Sequence, residues 1–143
     1  MQEIRRCSVG EIINLRHRVL RAGRPIESAN LTDDEAEGTI HYAIFENGQA
    51  ISCLSLMRSQ LDSEPAWQLR GMAADVGVQG NGLGGRLLKY AMDDARSLGF
   101  SQVMWCNARI TAVGFYEKYG WKVCSEEFDV PLVGPHFKMK VLL

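Results

Sequence analysis

The chain predicts an α/β fold of the α+β kind in one domain, residues 1–143, with helices packed on a mixed sheet. Three observations lead there. Two β-prone runs flank Asn47-Gly48, a pair that supplies the positive φ values of a tight hairpin turn. A glycine-crowded loop joins a strand pattern to a long amphipathic helix pattern. The element order reads β, α, a β meander, α, β, α, β, β, with no internal repeat, linker or low-complexity segment.

After a short N-terminal strand, Ser8-Val9-Gly10-Glu11 has the S-x-x-E form of a capping box. Ile12, Leu15 and Val19 continue at helical spacing, so a helix is expected over about residues 9–21. Gly23 and Pro25 stop it, and residues 27–38, with Asp33, Asp34, Glu35 and Glu37, read as a loop or short helix. Strands follow over 40–45, 50–57 and 67–74. Leu83, Leu87, Leu88, Ala91, Ala95 and Leu98 then draw an apolar helical stripe, opposite Arg86, Lys89, Asp93 and Arg96, and Gly99 ends it. The rest reads as a strand over 102–106, a short helix over 111–119 closed by Gly120, and strands over 121–128 and 137–142.

Sixteen Lys and Arg against seventeen Asp and Glu leave a formal charge of -1 with no block of like charge. Neither nucleic acid nor a membrane surface is an expected partner, and any anion must be caught locally. The longest apolar runs, such as Tyr42-Ala43-Ile44-Phe45, are four residues, whereas a membrane span takes roughly twenty. No apolar signal segment opens the chain, so the cytoplasm is the expected location. Cys7, Cys53, Cys106 and Cys124 form no C-x-x-C pair and have no histidine at zinc spacing; they read as reduced thiols, and no metal is expected.

Five of the fourteen glycines, Gly77, Gly80, Gly82, Gly84 and Gly85, fall within nine positions. One or two would suffice for a turn, whereas this density bares backbone N–H groups ahead of a helix, where a phosphate is stabilised. No Gly-Lys-Ser or Gly-Lys-Thr follows, which argues against NTP hydrolysis. Gly80, Gly82 and Gly85 match G-x-G-x-x-G, but residues 102–107 hold no acidic group for a ribose and too little chain follows for a dinucleotide-binding domain. Gln79, Gly82 and Gly84 also spell Gln-x-x-Gly-x-Gly.

On those residues the chain resembles the GCN5-related N-acetyltransferase (GNAT) family. Leu69-Arg70-Gly71-Met72-Ala73-Ala74 is similar to the family's central strand, and Asn107-Ala108-Arg109 with Phe115-Tyr116-Glu117-Lys118-Tyr119-Gly120-Trp121 to its second signature. Leu15-Arg16-His17-Arg18-Val19-Leu20-Arg21 and Gly134-Pro135-His136-Phe137-Lys138-Met139 resemble one branch of small bacterial members. The likeness runs over about residues 3–142. It implies a mostly antiparallel sheet of about six or seven strands, flanked by about four helices and splayed between the fourth and fifth strands. It also implies direct acetyl transfer from acetyl-CoA, as co-substrate, to a primary amine of a small molecule or peptide. Two departures stand out: Ala74 replaces a common β-branched residue, and the central strand carries no carboxylate.

Under the resemblance, Gln79, Gly80, Asn81, Gly82, Leu83, Gly84 and Gly85 hold the pyrophosphate. Met72, Ala73 and Ala74 pair with pantetheine as an added strand, the Ala73 N–H facing the developing oxyanion. Tyr116 is the general acid toward the departing thiolate, with Tyr119 a second candidate and core packing the alternative for either. Asn107 bonds the pantetheine amide or phosphate arm, or else caps the loop after its strand. An amine of pKa about 10.4 needs a base at neutral pH. With Gln68 and Arg70 in the central strand, the candidates are an ordered water, His136 and His41. Trp67, Arg70 and the acids around Asp33 and Glu35 are candidates for the acceptor pocket, and they conflict: the acids favour a cationic amine, Arg70 a carboxylate or phosphate. A non-catalytic acyl-CoA sensing module and an NAD-dependent oxidoreductase are the competing readings. Edge strands near the C-terminus allow a homodimer.

Overall fold

Asn47 and Gly48 take φ of 51° and 82°, so the tight turn forms as its residues dictate and pairs Glu46 with Gln49. That register joins β2 (Ile40–Glu46) to β3 (Gln49–Leu61), and β1 (Gln2–Cys7) adds to the outer side of β2. In the computed structural model, which describes residues 1–143, these strands open an eight-stranded sheet. It continues with β4 (Glu64–Ala74), β5 (Val103–Arg109), β6 (Lys122–Val123), β7 (Phe128–Val130) and β8 (Gly134–Leu142). The order is β1-β2-β3-β4-β5-β8-β6, with β7 also on β8. Every pair is antiparallel except β4 with β5.

Three α-helices pack on the sheet rather than about four: α1 (Ile13–Leu20), α2 (Leu83–Leu98) and α3 (Val113–Glu117). The expected helix over 9–21 divides into a 3-10 turn at Val9–Glu11 and α1. Gly10 and the β-branched Val9, Ile12 and Ile13 make a poor first helical turn. Glu11 still reaches back to the Ser8 N–H at 2.8 Å, the returning half of the capping box. The strand expected over 121–128 is interrupted, which raises the strand count. There the Ser125 hydroxyl accepts the Lys138 N–H at 2.8 Å in place of a backbone carbonyl, and β6 and β7 form separately on either side.

Alternation along the strands sends side chains into two cores. Tyr42, Ile44, Leu54 and Leu56 join the stripe of α2, with Trp67, Tyr116 and Trp121, in the larger one. Ala43, Phe45 and Cys53 point the other way, onto Ile12 at the start of α1 and Leu15 within it. The sheet is thus covered on both faces, α2 and α3 on one and α1 on the other.

The parallel pair is where the sheet opens. β4 bonds β5 only from Trp67 to Leu69, against Met104 to Cys106. Beyond that point Asn107, Ala108 and Arg109 stay with β8, while Arg70 to Ala74 stay with β3. A bulge helps to turn β4 away: Cys53 faces Ala73 but Ser55 faces Arg70, and Gly71, at φ 64°, takes up the extra residue. The splay expected between the fourth and fifth strands therefore begins at Leu69.

Candidate active site

The loop leaving β4 is built around exposed backbone. Asp75 accepts the Val76 N–H and pairs with Arg18 of α1, while Gln79 Nε2 donates to the Ala74 carbonyl at 3.0 Å. The Gln79 side chain thus closes the loop on its own strand. Gly80 and Gly82 take φ of 86° and 76°, left-handed values that glycine adopts without strain. Gly82 precedes α2 without a capping side chain, and no acceptor in the protein takes the N–H groups of Gly82, Leu83, Gly84 or Gly85. Four free donors thus stand at the positive end of a sixteen-residue helix, the arrangement an anion would satisfy.

The glycines divide the work. A Cβ on Gly80 or Gly82 would meet nothing, so those two serve backbone conformation and access. Gly84 packs against Met72 and Phe115, and Gly85 leaves no room for a methyl group under the Tyr119 ring. These last two let α2 and α3 approach one another.

A groove of about 850 Å³ runs from this loop along the open side of β4. Met72, Ala73, Ala74, Gln79, Gly80, Gly82, Leu83, Gly84 and Gly85 all line it; Asn81 is exposed and does not. Strand parity corrects one expectation. The Asp75 N–H donates to Ile51 of β3, so the Ala73 N–H, two residues back, also turns toward β3 and is not the donor facing the gap. The Ala74 N–H, of opposite parity, faces the gap, and Met72 lies at the bulge that opens it.

Tyr116 stands where the groove meets a second cleft, and Met72 borders both as well. Its ring packs on Trp121 and Phe115, and its hydroxyl donates to Met72 Sδ at 3.5 Å. Burial, together with the adjacent Cys106 thiol, raises the phenol well above its ordinary value. The ring therefore packs in the core while the side chain also borders both cavities. Tyr119 lies farther along, against Gly85 and Phe115, and lines the groove alone.

The second cleft comprises two adjoining chambers of about 180 and 250 Å³, both bordered by Leu20, Arg21, Arg70, Asn107 and His136. Asn107 lies within β5, paired with Lys138, rather than after the strand, and it caps nothing. It faces this cleft instead of the glycine loop. His136 is buried in β8, and its Nδ1–H donates to the Gly134 carbonyl at 2.8 Å. A carbonyl only accepts, so Nε2 carries the lone pair of the neutral ring, and nothing in the protein bonds it.

Four other candidate residues do not reach the cleft. Trp67 is fully buried under α2, because its parity in β4 faces the larger core. Asp33 and Glu35 border a separate surface hollow. His41 has both ring nitrogens in use: Nδ1 accepts from Ser55 Oγ at 2.6 Å and Nε2–H donates to the Asp34 carbonyl at 2.8 Å. Ser55 in turn accepts from Arg16 Nη2 at 3.0 Å, and Asp34 holds both Arg16 Nη atoms, at 2.8 and 3.2 Å. His41 is thus a structural member of a buried network under the cleft. Sequence reasoning passed over Arg21 and the buried Arg16, which sit at the end and on the inner face of α1; spacing alone does not show that α1 packs over the gap in β4.

A sheet opened beside β4, with unpaired N–H groups at a helix N-terminus and a tyrosine at the junction of two cavities, is the architecture of an acyltransferase fold. The sequence model of the acetyltransferase (GNAT) family matches residues 9–121. The chain belongs to that family and is an acyltransferase by class. It is 39% identical over 142 residues to YitI, an uncharacterized N-acetyltransferase of Bacillus subtilis, covering 97% of this chain and 95% of the relative. Its fold is similar to that of Escherichia coli ElaA, with TM-score 0.83 at 18% identity over 98% of this chain and 99% of ElaA. It is also similar to an aminoglycoside 6'-N-acetyltransferase solved with coenzyme A, with TM-score 0.77 at 14% identity over 98% and 96%.

Proposed function

We propose that the protein transfers the acetyl group of acetyl-CoA directly to a primary amine. The observation that carries this is the shared border: Met72 and Tyr116 line both the groove under the glycine loop and the second cleft, so one passage connects an anion site to an amine-sized chamber. Acetyl-CoA, when bound, supplies an acetyl thioester. Gly82, Leu83, Gly84 and Gly85 N–H groups receive its pyrophosphate, and the unpaired edge of β4 at Met72 and Ala74 receives the pantetheine arm.

Each remaining residue has a task at a stated atom. Of the N–H groups on that edge, one pairs with the arm and the other polarises the carbonyl oxygen. His136 Nε2 takes the proton of the incoming ammonium, because it carries a free lone pair in the acceptor chamber. As the C–N bond forms and the C–S bond breaks, Tyr116 Oη gives a proton to the departing sulfur and the surplus N–H proton of the new amide restores the phenol, whose raised pKa keeps it protonated until then. Asn107, exposed on β5, orients the amide of the arm or of the acceptor.

Isothermal titration with acetyl-CoA, coenzyme A and NAD tests the reading, on wild type and on Gly82→Glu. A Cβ at Gly82 meets nothing, but its φ of 76° strains any side chain there, so thermal unfolding of Gly82→Glu and of a Gly82→Ala control separates added charge from loop strain. Binding of both CoA forms but not NAD by the wild type, and its loss in the variant, is expected. A wild type that binds neither CoA form sinks the proposal.

A further inference from the structure

We propose that the acceptor amine also carries an anionic group, carboxylate or phosphate, and that Arg21, Arg70 and Arg109 hold it. The inference rests on the acetyltransferase reading of the second cleft and names the acceptor class for it.

The charge around the cleft is one-sided. Arg21 and Arg70 border both chambers and Arg109 the second, while no Asp or Glu borders either. None of the three has a carboxylate partner within 4.0 Å, although six ion pairs form elsewhere in the protein. Arg70 donates only to the Thr32 carbonyl at 3.4 Å, Arg21 only to the neighbouring Leu20 carbonyl at 3.0 Å, and Arg109 to nothing. Arg16, the fourth guanidinium at the wall, is already neutralised by Asp34. Behind the cleft, Arg24 spends one nitrogen on the Leu132 carbonyl and adds its charge to the same region. Burial and the neighbouring guanidinium groups of Arg24, Arg109, Arg70 and Arg16 hold Arg21 below its ordinary pKa, so these groups repel one another as they stand.

A chain of net charge -1 that gathers unpaired arginines in one hollow has a local reason to do so. An anion relieves the repulsion, and guanidinium forks match carboxylate and phosphate oxygens two at a time. Polycationic amines are excluded by the same field. The conflict between the acids near Asp33 and Arg70 is resolved in favour of Arg70, because those acids line another hollow. The donor's phosphates do not account for Arg21 and Arg70, which lie outside the groove that carries the glycine loop, while Arg109 stands at the junction and borders both.

Acetyl transfer, followed by release of the CoA thiol, is compared across matched acceptors: amino acids against their amides, aminoalkyl phosphates against the parent amino alcohols, and spermidine. One anionic series should exceed its neutral partner in kcat/KM by about tenfold or more, and which series wins separates carboxylate from phosphate. Arg70→Gln and Arg21→Gln should raise acceptor KM by about 10–100-fold, with kcat and acetyl-CoA affinity held within about twofold, and Arg70→Lys should recover part of the loss. Calorimetry on the CoA-loaded protein gives a readout free of turnover: N-acetylglycine or inorganic phosphate binds, and Arg70→Gln weakens it. Neutral amines or spermidine turned over as well as the anionic series overturn the proposal, as does a CoA-loaded wild type that binds neither anion. Failure of the acetyltransferase reading shows separately, as absence of CoA binding in the wild type, and the inference falls with it.

Discussion

The Tyr116 hydroxyl donates to Met72 Sδ at 3.5 Å across the mouth of the gap between β4 and β5. A thioether is a weak acceptor, so the phenol gives up little when a stronger one, such as a thiolate, reaches the same place. Tyr116→Phe keeps the ring against Trp121 and Phe115 and removes only the proton. It should lower kcat by about 10²–10⁴-fold while acetyl-CoA affinity stays within about twofold. Unchanged turnover would return Tyr116 to the core; a protein that binds CoA and never turns over would be a sensing module.

The same burial sets the pH profile. With its pKa raised above the ordinary value near 10, the phenol stays protonated through neutral and mildly alkaline pH. The kcat profile should therefore show no falling limb below about pH 10 assignable to this group. A limb at lower pH that vanishes in Tyr116→Phe would show the hydroxyl to be far less buried than its surroundings require.

Gly85 tests the division of labour among the glycines. A methyl there collides with the Tyr119 ring and hydroxyl, and Gly85→Ala should cost about 1–3 kcal/mol in urea denaturation. Adding Tyr119→Phe removes the nearest atom and should recover part of that. An unchanged midpoint with lost CoA affinity would instead assign Gly85 to the phosphate alone.

The Arg16–Asp34 pair, with side chains 1% and 8% exposed, lies below the cleft. Asp34→Ala leaves the guanidinium buried without its partner and should destabilise the fold by about 3–5 kcal/mol. A loss under about 1 kcal/mol would mean that water reaches Arg16 and compensates.

Thiol labelling reports on the packing directly. Burial pushes the Cys53 and Cys106 thiols up to about 12 and Cys7 to about 11, and Cys124 alone is exposed. The native protein should react with a disulfide reagent at one thiol quickly and at all four only after denaturation. Fast reaction at Cys53 or Cys106 would show that the sheet opens locally near the gap.

Features governed by neighbours in the chain were legible in advance. The Asn47-Gly48 turn, the stripe of α2 and the glycine loop between β4 and α2 depend on φ preference and on 3.6-residue spacing, and each is where its residues place it. The family resemblance added the open edge of β4 and Tyr116. Breaks within elements were harder to foresee: Ser125 interrupts a strand by offering its hydroxyl to Lys138, a residue thirteen positions away.

What the amino-acid order determines by itself here is the fold class, the glycine loop ahead of α2 and the helix stripe that follows it. Tertiary structure decided which way the candidate residues face. The parity of β4, set by the bulge at Gly71 and by pairing with β3, turned the Ala73 N–H away from the gap and Trp67 into the core. Packing of α1 over the splayed strands brought Arg21 to Arg70 and Arg109 from three separate segments, and left Asp33 and Glu35 outside. Strand parity and the sum of distant charges depend on long-range pairing, and no local pattern in the chain records them.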